Sequence, residues 1–333
     1  MPKTVRFHNL GGPEVLSLDE VDVPLPGKGE VRIRTRALGL NRAEIMFRTG
    51  NYVVEPVFPQ ALGYEAAGTV EAVGAEVSGL TVGDAVSVVP AFAMTEYALH
   101  GELVLAPAHA VVKHPEQLTW EEAAGVWMPF ITAYGGLIDL AGLSAGDTVV
   151  IPAASSSVGL AAIQIANMIG AKPVALTRTS SKRQQLIDAG AAAVIATEEE
   201  HVVERLDQIT DGAGVQVIFD PVAGPLLPRL IDAASTAATV VIYGALSTDD
   251  TALPVLAVLG KHITIRGYEL FEVTTDPERL RGAVAFVRDG LNSGALKPTV
   301  DKVFEMENIA EAYQYLESNG QIGKVVVSVP QNR

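Results

Sequence analysis

Hydrophobic and polar positions divide the chain into a β-rich first part and a second part in which strands alternate with helices. In residues 30–40, Val31, Ile33 and Thr35 alternate with three arginines, which is the period of a strand with one buried face. Six apolar runs follow later, with amphipathic segments between them: residues 148–153, 173–177, 193–197, 215–222, 238–244 and 262–268. Near-continuous Val and Ile runs are typical of parallel strands covered on both faces. The alternation indicates βαβ units and predicts a doubly wound dinucleotide-binding sheet.

The domain organisation follows from where this character changes. A capping-box pattern, Thr119 with Glu122, begins a long apolar segment that predicts a helix and marks the change. Helices are also predicted over 276–294 and around 308–320, and a final strand over 323–330 is expected to complete the first domain. The sequence therefore predicts an α/β fold with two domains: a mainly β domain of residues 1–120 and 300–333, and a Rossmann-type domain of residues 121–299, with its end alternatively near residue 265.

The first candidate site is the turn between the first apolar run and the helix that follows it. The turn reads A-A-S-S-S-V-G over residues 153–159, and Gly170 fits the end of the helix. Small side chains and the free N–H groups of a helix N-terminus favour a pyrophosphate. The full G-x-G-x-x-G fingerprint is absent, so a plain strand–helix connection remains the alternative. The predicted coenzyme contacts are Ala153, Ser156, Ser157, Val158 and Gly159.

A basic cluster follows the second apolar run, where sheets of this kind bind the adenosine ribose. NAD sites place an Asp or Glu at this point for the ribose 2′-hydroxyl. Here the segment reads L-T-R-T-S-S-K-R, with Arg178, Ser180 and Lys182 as candidate contacts beside Ser181 and Arg183. Cations favour a 2′-phosphate, so NADPH is predicted over NADH. The alternative is a solvated helix start with ordinary surface cations.

Composition narrows the function classes. Hydrophobic residues make up 48% and charged residues 19% of the 333 positions, as in a globular protein. The formal net charge of −15 disfavours nucleic acid and anionic membranes as partners. Because there is no cysteine, disulfides, a Cys nucleophile and thiolate zinc sites are excluded. With no apolar leader and no membrane-spanning run, a cytoplasmic protein is expected.

Several segments together resemble the medium-chain dehydrogenase/reductase superfamily. They are G-L-N-R-A-E (39–44), G-Y-E-A-A-G (63–68), V-G-D-A-V (82–86), F-I-T-A-Y (130–134), the 153–159 turn, L-T-R-T-S-S-K (176–182) and G-K-V-V-V-S-V (323–329). The similarity is closest to the zinc-free branch of quinone oxidoreductases (zeta-crystallin-like) and enoyl reductases. It implies a GroES-like first domain beside the Rossmann domain.

The resemblance also bears on metal binding. Zinc-dependent members carry a Cys in the first of these segments and a His in the second, whereas this chain has Asn41 and Tyr64 there. Glu44 and Glu65 remain, but carboxylates without nitrogen or sulfur partners do not make a tetrahedral zinc site. No metal is predicted.

In the zinc-free branch, the resemblance implies catalytic roles for Asn41, beside the nicotinamide ribose and substrate, and for Tyr52, which lines the same cleft between the domains. A half-buried packing role is the alternative for Tyr52. It further implies coenzyme contacts at Thr132, Lys182, Tyr243, Gly244, Phe271 and Lys324. For Lys324 a purely structural role is equally open.

The function hypothesis is zinc-independent hydride transfer from NADPH to a quinone. An enoyl reductase acting on α,β-unsaturated carbonyls or thioesters is the alternative, and a non-catalytic NADPH-binding protein is a second. A serine hydrolase, suggested by Ser155–Ser157, is disfavoured because G-x-S-x-G is missing. A homodimer is expected if the runs at 238–244 and 262–268 include a sheet edge that pairs across a two-fold axis.

Overall fold

The computed structural model describes residues 1–331. Its strands are β1 (Lys3–Phe7), β2 (Leu16–Glu20), β3 (Glu30–Gly39), β4 (Gln60–Ala61), β5 (Glu65–Val73), β6 (Ala85–Val88), β7 (Leu103–Pro107), β8 (Val111–Lys113), β9 (Thr148–Ile151), β10 (Lys172–Thr177), β11 (Ala193–Ala196), β12 (Val215–Asp220), β13 (Ala234–Ile242), β14 (Thr264–Gly267), β15 (Val300–Glu305) and β16 (Lys324–Ser328). Its α-helices are α1 (Arg42–Arg48), α2 (Trp120–Ala123), α3 (Trp127–Tyr134), α4 (Ser157–Met168), α5 (Arg183–Asp188), α6 (Val202–Ile209), α7 (Leu226–Asp232), α8 (Val255–Lys261), α9 (Phe271–Thr274), α10 (Pro277–Ser293) and α11 (Ile309–Glu317). Short 3₁₀ helices lie at Pro13–Val15, Ala108–Ala110, Ser180–Lys182 and Met306–Asn308, and a π-helix at Gly135–Leu140. Within the described range, no helix is long and apolar enough to cross a bilayer.

The described chain forms two compact units. The first comprises Met1–Met128, Thr274–Pro277 and the chain from Pro298 onward, and the second comprises Pro129–Val273 and Glu278–Lys297. The sequence predicts the first boundary at 120/121, several residues earlier. The structure places it later because α2 packs against β3 and β5 of the first unit.

The second unit is built on a six-stranded parallel sheet. Its strand order is β11-β10-β9-β12-β13-β14, which is the 3-2-1-4-5-6 order of doubly wound dinucleotide-binding folds. Each of the six strands overlaps one of the six apolar runs, so the predicted Rossmann-type sheet is confirmed. The sheet's strands and the helices α6 and α7 bury a core that includes Val150, Ile195, Leu206, Ile218 and Leu230.

The first unit is built on a mixed seven-stranded sheet. Its order is β15-β16-β3-β5-β6-β8, with β7 also paired to β3, and a separate sheet joins β2, β1 and β4. Val31, Ile33 and Thr35 are buried on β3, as the alternation predicts. β16 pairs antiparallel with β3, so Val326 lies opposite Gly39. The end of the chain thereby completes the sheet of the first unit.

The helix predicted from Thr119 is interrupted. The capping box is present: the Thr119 hydroxyl accepts from the Glu122 amide, and the Glu122 carboxylate accepts from the Thr119 amide. However, α2 ends at Ala123 and a new helix begins at Trp127. Pro129 lacks the N–H that a continuous helix needs at that position. The pattern of apolar spacing alone did not reveal this break.

Candidate active site

The turn after β9 has the geometry of a phosphate-binding turn. Ser156 caps α4, and its Oγ accepts from the Gly159 amide at 3.1 Å. A Cβ on Gly159 would lie 2.6 Å from the backbone of Ala154, so glycine permits the close approach of helix and strand. Ala153 adopts φ +49°, a left-handed conformation that non-glycine residues rarely take. Because the first N–H groups of α4 have no intrahelical partner, the turn fits a pyrophosphate.

The end of β10 is linked to this turn through one cation. Lys182 Nζ donates to Ser155 Oγ at 3.2 Å, although the two residues are 27 positions apart. Arg183 does not join the same surface, because it donates to Val194 O at 2.6 Å and to Glu200 at 2.5 Å. Arg178 is exposed and has no ion pair among residues 1–331. Of the predicted basic cluster, Arg183 is therefore committed to Val194 and Glu200, and Arg178 and Lys182 stay predicted coenzyme contacts.

Tyr243 and Gly244 follow β13. The Tyr243 ring stacks on Phe219 with centroids 4.0 Å apart, and its hydroxyl is buried without a hydrogen-bond partner among the described residues. Burial and the nearby Asp220 carboxylate raise the pKa of Tyr243 well above its usual value, so the hydroxyl stays protonated. A Cβ on Gly244 would lie 2.9 Å from Pro221 O. A buried hydroxyl with an unused donor fits a site that a ligand completes.

Two further predicted coenzyme contacts lie on short helices of the same unit. Thr132 is nearly buried on α3. Phe271 is the half-buried first residue of α9, and its amide donates to the Glu269 carboxylate at 3.2 Å. Their roles stay predictions.

In the first unit, Asn41 belongs to a buried polar network. Lys324 Nζ donates to Asn41 Oδ1 at 2.6 Å and also to the Glu65 carboxylate. All three side chains are buried, with Lys324 only 2% exposed. Burial raises the pKa of Glu65, an effect that the Lys324 ammonium partly offsets. The predicted coenzyme contact Lys324 is thus placed inside the unit, where its visible role is to hold Asn41.

Glu44 organises the other side of this network. Its carboxylate accepts from the Asn41 amide at 2.7 Å, which forms a capping box at the start of α1. It also accepts from the Tyr64 amide at 3.0 Å and from the Tyr313 hydroxyl at 2.8 Å. His100 lies against the same group and its pKa is lowered by burial, so it remains neutral. One carboxylate therefore ties α1 to the segment that carries Tyr64.

Asn41 has little hydrogen-bonding capacity left. Its Nδ2 donates to Gly39 O at 3.1 Å and to Glu44 at 3.2 Å, and its Oδ1 accepts from Lys324. An amide has two N–H donors and two acceptor lone pairs. Both amide N–H donors of Asn41 are therefore in use, so it has none to offer a ligand.

The Tyr52 hydroxyl lies beside that of Tyr64. The two oxygens are 3.2 Å apart, and the Tyr52 side chain is half-buried whereas Tyr64 is buried. Burial and the neighbouring Tyr52 raise the pKa of Tyr64, so Tyr64 keeps its proton. The two hydroxyls therefore form a hydrogen-bonded pair in which Tyr52 is the more exposed member.

The residues at the zinc-ligand positions do not form a metal site. Asn41 is held by Lys324 and Glu44, the Tyr64 hydroxyl contacts Tyr52, and Glu65 is paired with Lys324. Among residues 1–331, no group of three or more His, Cys, Asp or Glu side chains could hold a metal ion.

The hydrogen-bonding roles of two acids, Glu44 and Glu199, were not predicted from the sequence. Glu44 stands three residues after Asn41, and this N-x-x-E spacing is itself a capping-box signal. Glu199 accepts from the Ser180 amide at 2.9 Å. It follows β11 in the run T-E-E-E-H, where an acid next to a predicted nucleotide site was a visible clue.

Comparisons with known proteins agree with this architecture. Residues 27–133 match the family model "Alcohol dehydrogenase GroES-like domain" and residues 157–289 match "Zinc-binding dehydrogenase". The human quinone oxidoreductase (Homo sapiens) is 31% identical over 98% of this chain and 97% of its own length. Among solved structures, the Escherichia coli quinone oxidoreductase complexed with NADPH has a TM-score of 0.89 at 28% identity, covering 98% of this chain and 99% of its own. An NAD-dependent alcohol dehydrogenase has a TM-score of 0.89 at 29% identity, with 98% and 100% coverage. The chain therefore belongs to the medium-chain dehydrogenase/reductase superfamily and is an oxidoreductase of the medium-chain dehydrogenase type.

Proposed function

We propose that this protein transfers a hydride from NADPH to a quinone without a metal ion. The observation that carries the proposal is the Lys182–Ser155 contact, which brings a cation from the end of β10 to the turn before α4. In a doubly wound sheet these are the places for the adenosine ribose and the pyrophosphate. The similar E. coli quinone oxidoreductase is complexed with NADPH, which supports NADPH as the coenzyme.

The coenzyme preference rests on Arg178 and Lys182. A 2′-phosphate carries close to two negative charges and is recognised by charge-assisted hydrogen bonds. Ser180 lies between the two cations on the 3₁₀ turn Ser180–Lys182. These three residues form the proposed 2′-phosphate site. Ala153, Ser156, Ser157, Val158 and Gly159 form the proposed pyrophosphate site.

The acceptor chemistry rests on Tyr52 and the chain beside it. When bound, NADPH supplies the hydride. The Tyr52 hydroxyl donates a hydrogen bond to the acceptor oxygen, which gains electron density as it is reduced. Val53, Val57 and Phe58 expose apolar side chains next to Tyr52 in sequence, which suits a flat apolar acceptor such as a quinone. An enone remains the alternative substrate.

A coenzyme titration followed by an acceptor panel tests this proposal. We expect NADPH to bind and to be oxidised by quinones. Replacing Tyr52 by Phe should lower kcat on enones by about 10²-fold, the scale of general acid catalysis. Quinones should lose less, because aromaticity already stabilises their reduced form. Stopped-flow absorbance of NADPH oxidation measures both.

Tyr97→Phe is the matched control, since Tyr97 also donates to a polar partner, Glu30, at 2.9 Å in the first unit. This variant should retain wild-type rates on both substrates. NADPH binding without turnover of any quinone or enone would instead favour a non-catalytic NADPH-binding protein. Turnover confined to simple aldehydes in added zinc would contradict the metal-free reaction.

We also infer a homodimer that forms through the edge of the six-stranded sheet. β14 is the end strand and pairs with β13 on one side. The neighbouring helix α8 exposes Val255, Leu256 and Leu259, with Leu256 85% exposed. An unpaired strand edge beside exposed apolar side chains is the usual signature of an interface.

Leu256→Glu combined with Leu259→Glu should convert this dimer into a monomer. Each copy would then bury two carboxylates in the interface, opposite the same two carboxylates of its partner across the two-fold axis. Sedimentation velocity at micromolar concentration measures the change. Leu25→Glu is the control, since Leu25 is 72% exposed in the other unit. A monomeric wild-type protein would contradict the inference.

A further inference from the structure

An acidic side chain occupies the anion-accepting part of the proposed 2′-phosphate site. Glu199 comes from the segment after β11, not from the end of β10 where NAD sites carry their acid. Its Oε1 accepts from the Ser180 amide at 2.9 Å, across 19 positions of sequence. The site therefore holds two cations, Arg178 and Lys182, and one carboxylate. That carboxylate already accepts from the Ser180 amide, a donor that a bound phosphate would otherwise use.

Neighbouring acids do not share this position. Glu200 is turned to other partners, since it accepts from the Ala196 amide at 2.8 Å and pairs with Arg183 and Arg205. Glu198 donates its amide to Arg178 O at 2.9 Å and exposes its side chain. Glu199 is thus the acid that contacts the Ser180 turn.

A carboxylate here acts oppositely on the two coenzymes. A 2′-phosphate must displace it from the Ser180 amide and then lie close to its negative charge. A ribose 2′-hydroxyl has no such conflict, because it can donate a hydrogen bond to a carboxylate oxygen. The contact therefore disfavours NADPH and favours NADH.

We propose that Glu199 is a specificity-determining residue that limits the preference for NADPH over NADH. This inference rests on the proposed function, since it assumes that the Arg178–Lys182 surface binds the 2′-phosphate. The hydrogen bonds from Ser180 hold the pKa of Glu199 below its usual range, with Arg183 contributing. Consequently Glu199 carries its full charge at neutral pH.

Glu199→Gln tests the charge alone, because a glutamine oxygen can still accept from the Ser180 amide. The dissociation constants of NADPH and NADH are measured by fluorescence titration at low and high salt. We expect NADPH to bind about tenfold more tightly to the variant at low salt, with NADH changed by less than about threefold. High salt should shrink the gain. Glu199→Ala should give at least the same gain for NADPH and should weaken NADH.

Glu198→Gln is the matched control, since it removes one charge from the adjacent position without touching Ser180. Its ratio of NADH to NADPH dissociation constants should stay within about twofold of wild type. Equal ratios for Glu199→Gln and Glu198→Gln, with NADPH still tightly bound, would overturn the role of Glu199 alone. Failure of the wild-type protein to bind either coenzyme would overturn the proposed function together with this inference.

Discussion

Replacing Arg178 and Lys182 together by alanine is expected to weaken NADPH binding by 10²-fold or more. Each charge-assisted hydrogen bond to a phosphate contributes roughly 1.5–3 kcal/mol, and both cations are placed at the end of β10 with Lys182 joined to the phosphate turn through Ser155. NADH lacks the 2′-phosphate, so its affinity should fall only by the smaller loss of the Lys182–Ser155 contact. Fluorescence titration with each coenzyme measures the difference.

Lys172→Ala is the control for this prediction. Lys172 is exposed at the opposite end of β10, so its removal takes one positive charge from the same strand without touching the proposed 2′-phosphate site. It should leave both dissociation constants near wild type. Equal losses for NADPH and NADH in the double variant would contradict the 2′-phosphate assignment.

Breaking the buried pair of Lys324 and Glu65 is expected to destabilise the protein by about 3–5 kcal/mol. Lys324→Met leaves the Glu65 carboxylate buried without its cation, and Glu65→Gln leaves the Lys324 ammonium without its anion; both side chains are almost fully buried. The double variant should cost less than the sum of the two singles, because it leaves no unpaired charge. Urea unfolding gives the three free energies.

The loss in Lys324→Met should also depend on pH. Burial already raises the pKa of Glu65 above its unfolded value, and removing the ammonium raises it further. The unfolded chain then holds fewer protons than the folded one, so stability falls as the pH rises through the folded pKa. The variant should therefore be less destabilised at pH 5 than at pH 8.

Lys113→Met provides the contrast. Lys113 pairs with Asp84 at 2.9 Å on the surface, with half of its side chain exposed. Surface pairs contribute about 0–1 kcal/mol, so this variant should unfold close to wild type. A loss as small as this for Lys324→Met, or strict additivity in the double variant, would contradict the account of the buried pair.

The network also changes how Asn41 is interpreted. The resemblance implied a position beside the nicotinamide ribose and substrate. The structure shows that both amide N–H groups are already used, by Gly39 and Glu44, and that Lys324 holds the oxygen. Asn41 therefore has no amide N–H left to donate to a ligand.

Much of the fold followed from short-range pattern. The alternation at Val31, Ile33 and Thr35 and the six apolar runs report backbone period and burial, which neighbouring residues decide among themselves. The turn of residues 153–159 could also be predicted from the sequence, because a tight strand–helix turn requires small residues. The break before Pro129 was missed since apolar spacing continues across it.

Short-range sequence patterns could not predict the contacts between side chains that are distant in the sequence. Lys324 meets Asn41 across 283 positions and Glu65 across 259, and the antiparallel registers of β16 on β3 and of β3 on β5 bring them together. Glu199 reaches Ser180 because β10 and β11 lie side by side in the sheet. Composition and periodicity determined the two domains, the parallel sheet and the coenzyme turn. Strand order, register and packing decided which charges are paired and which carboxylate accepts from the Ser180 amide, because those contacts exist only once the sheets have formed.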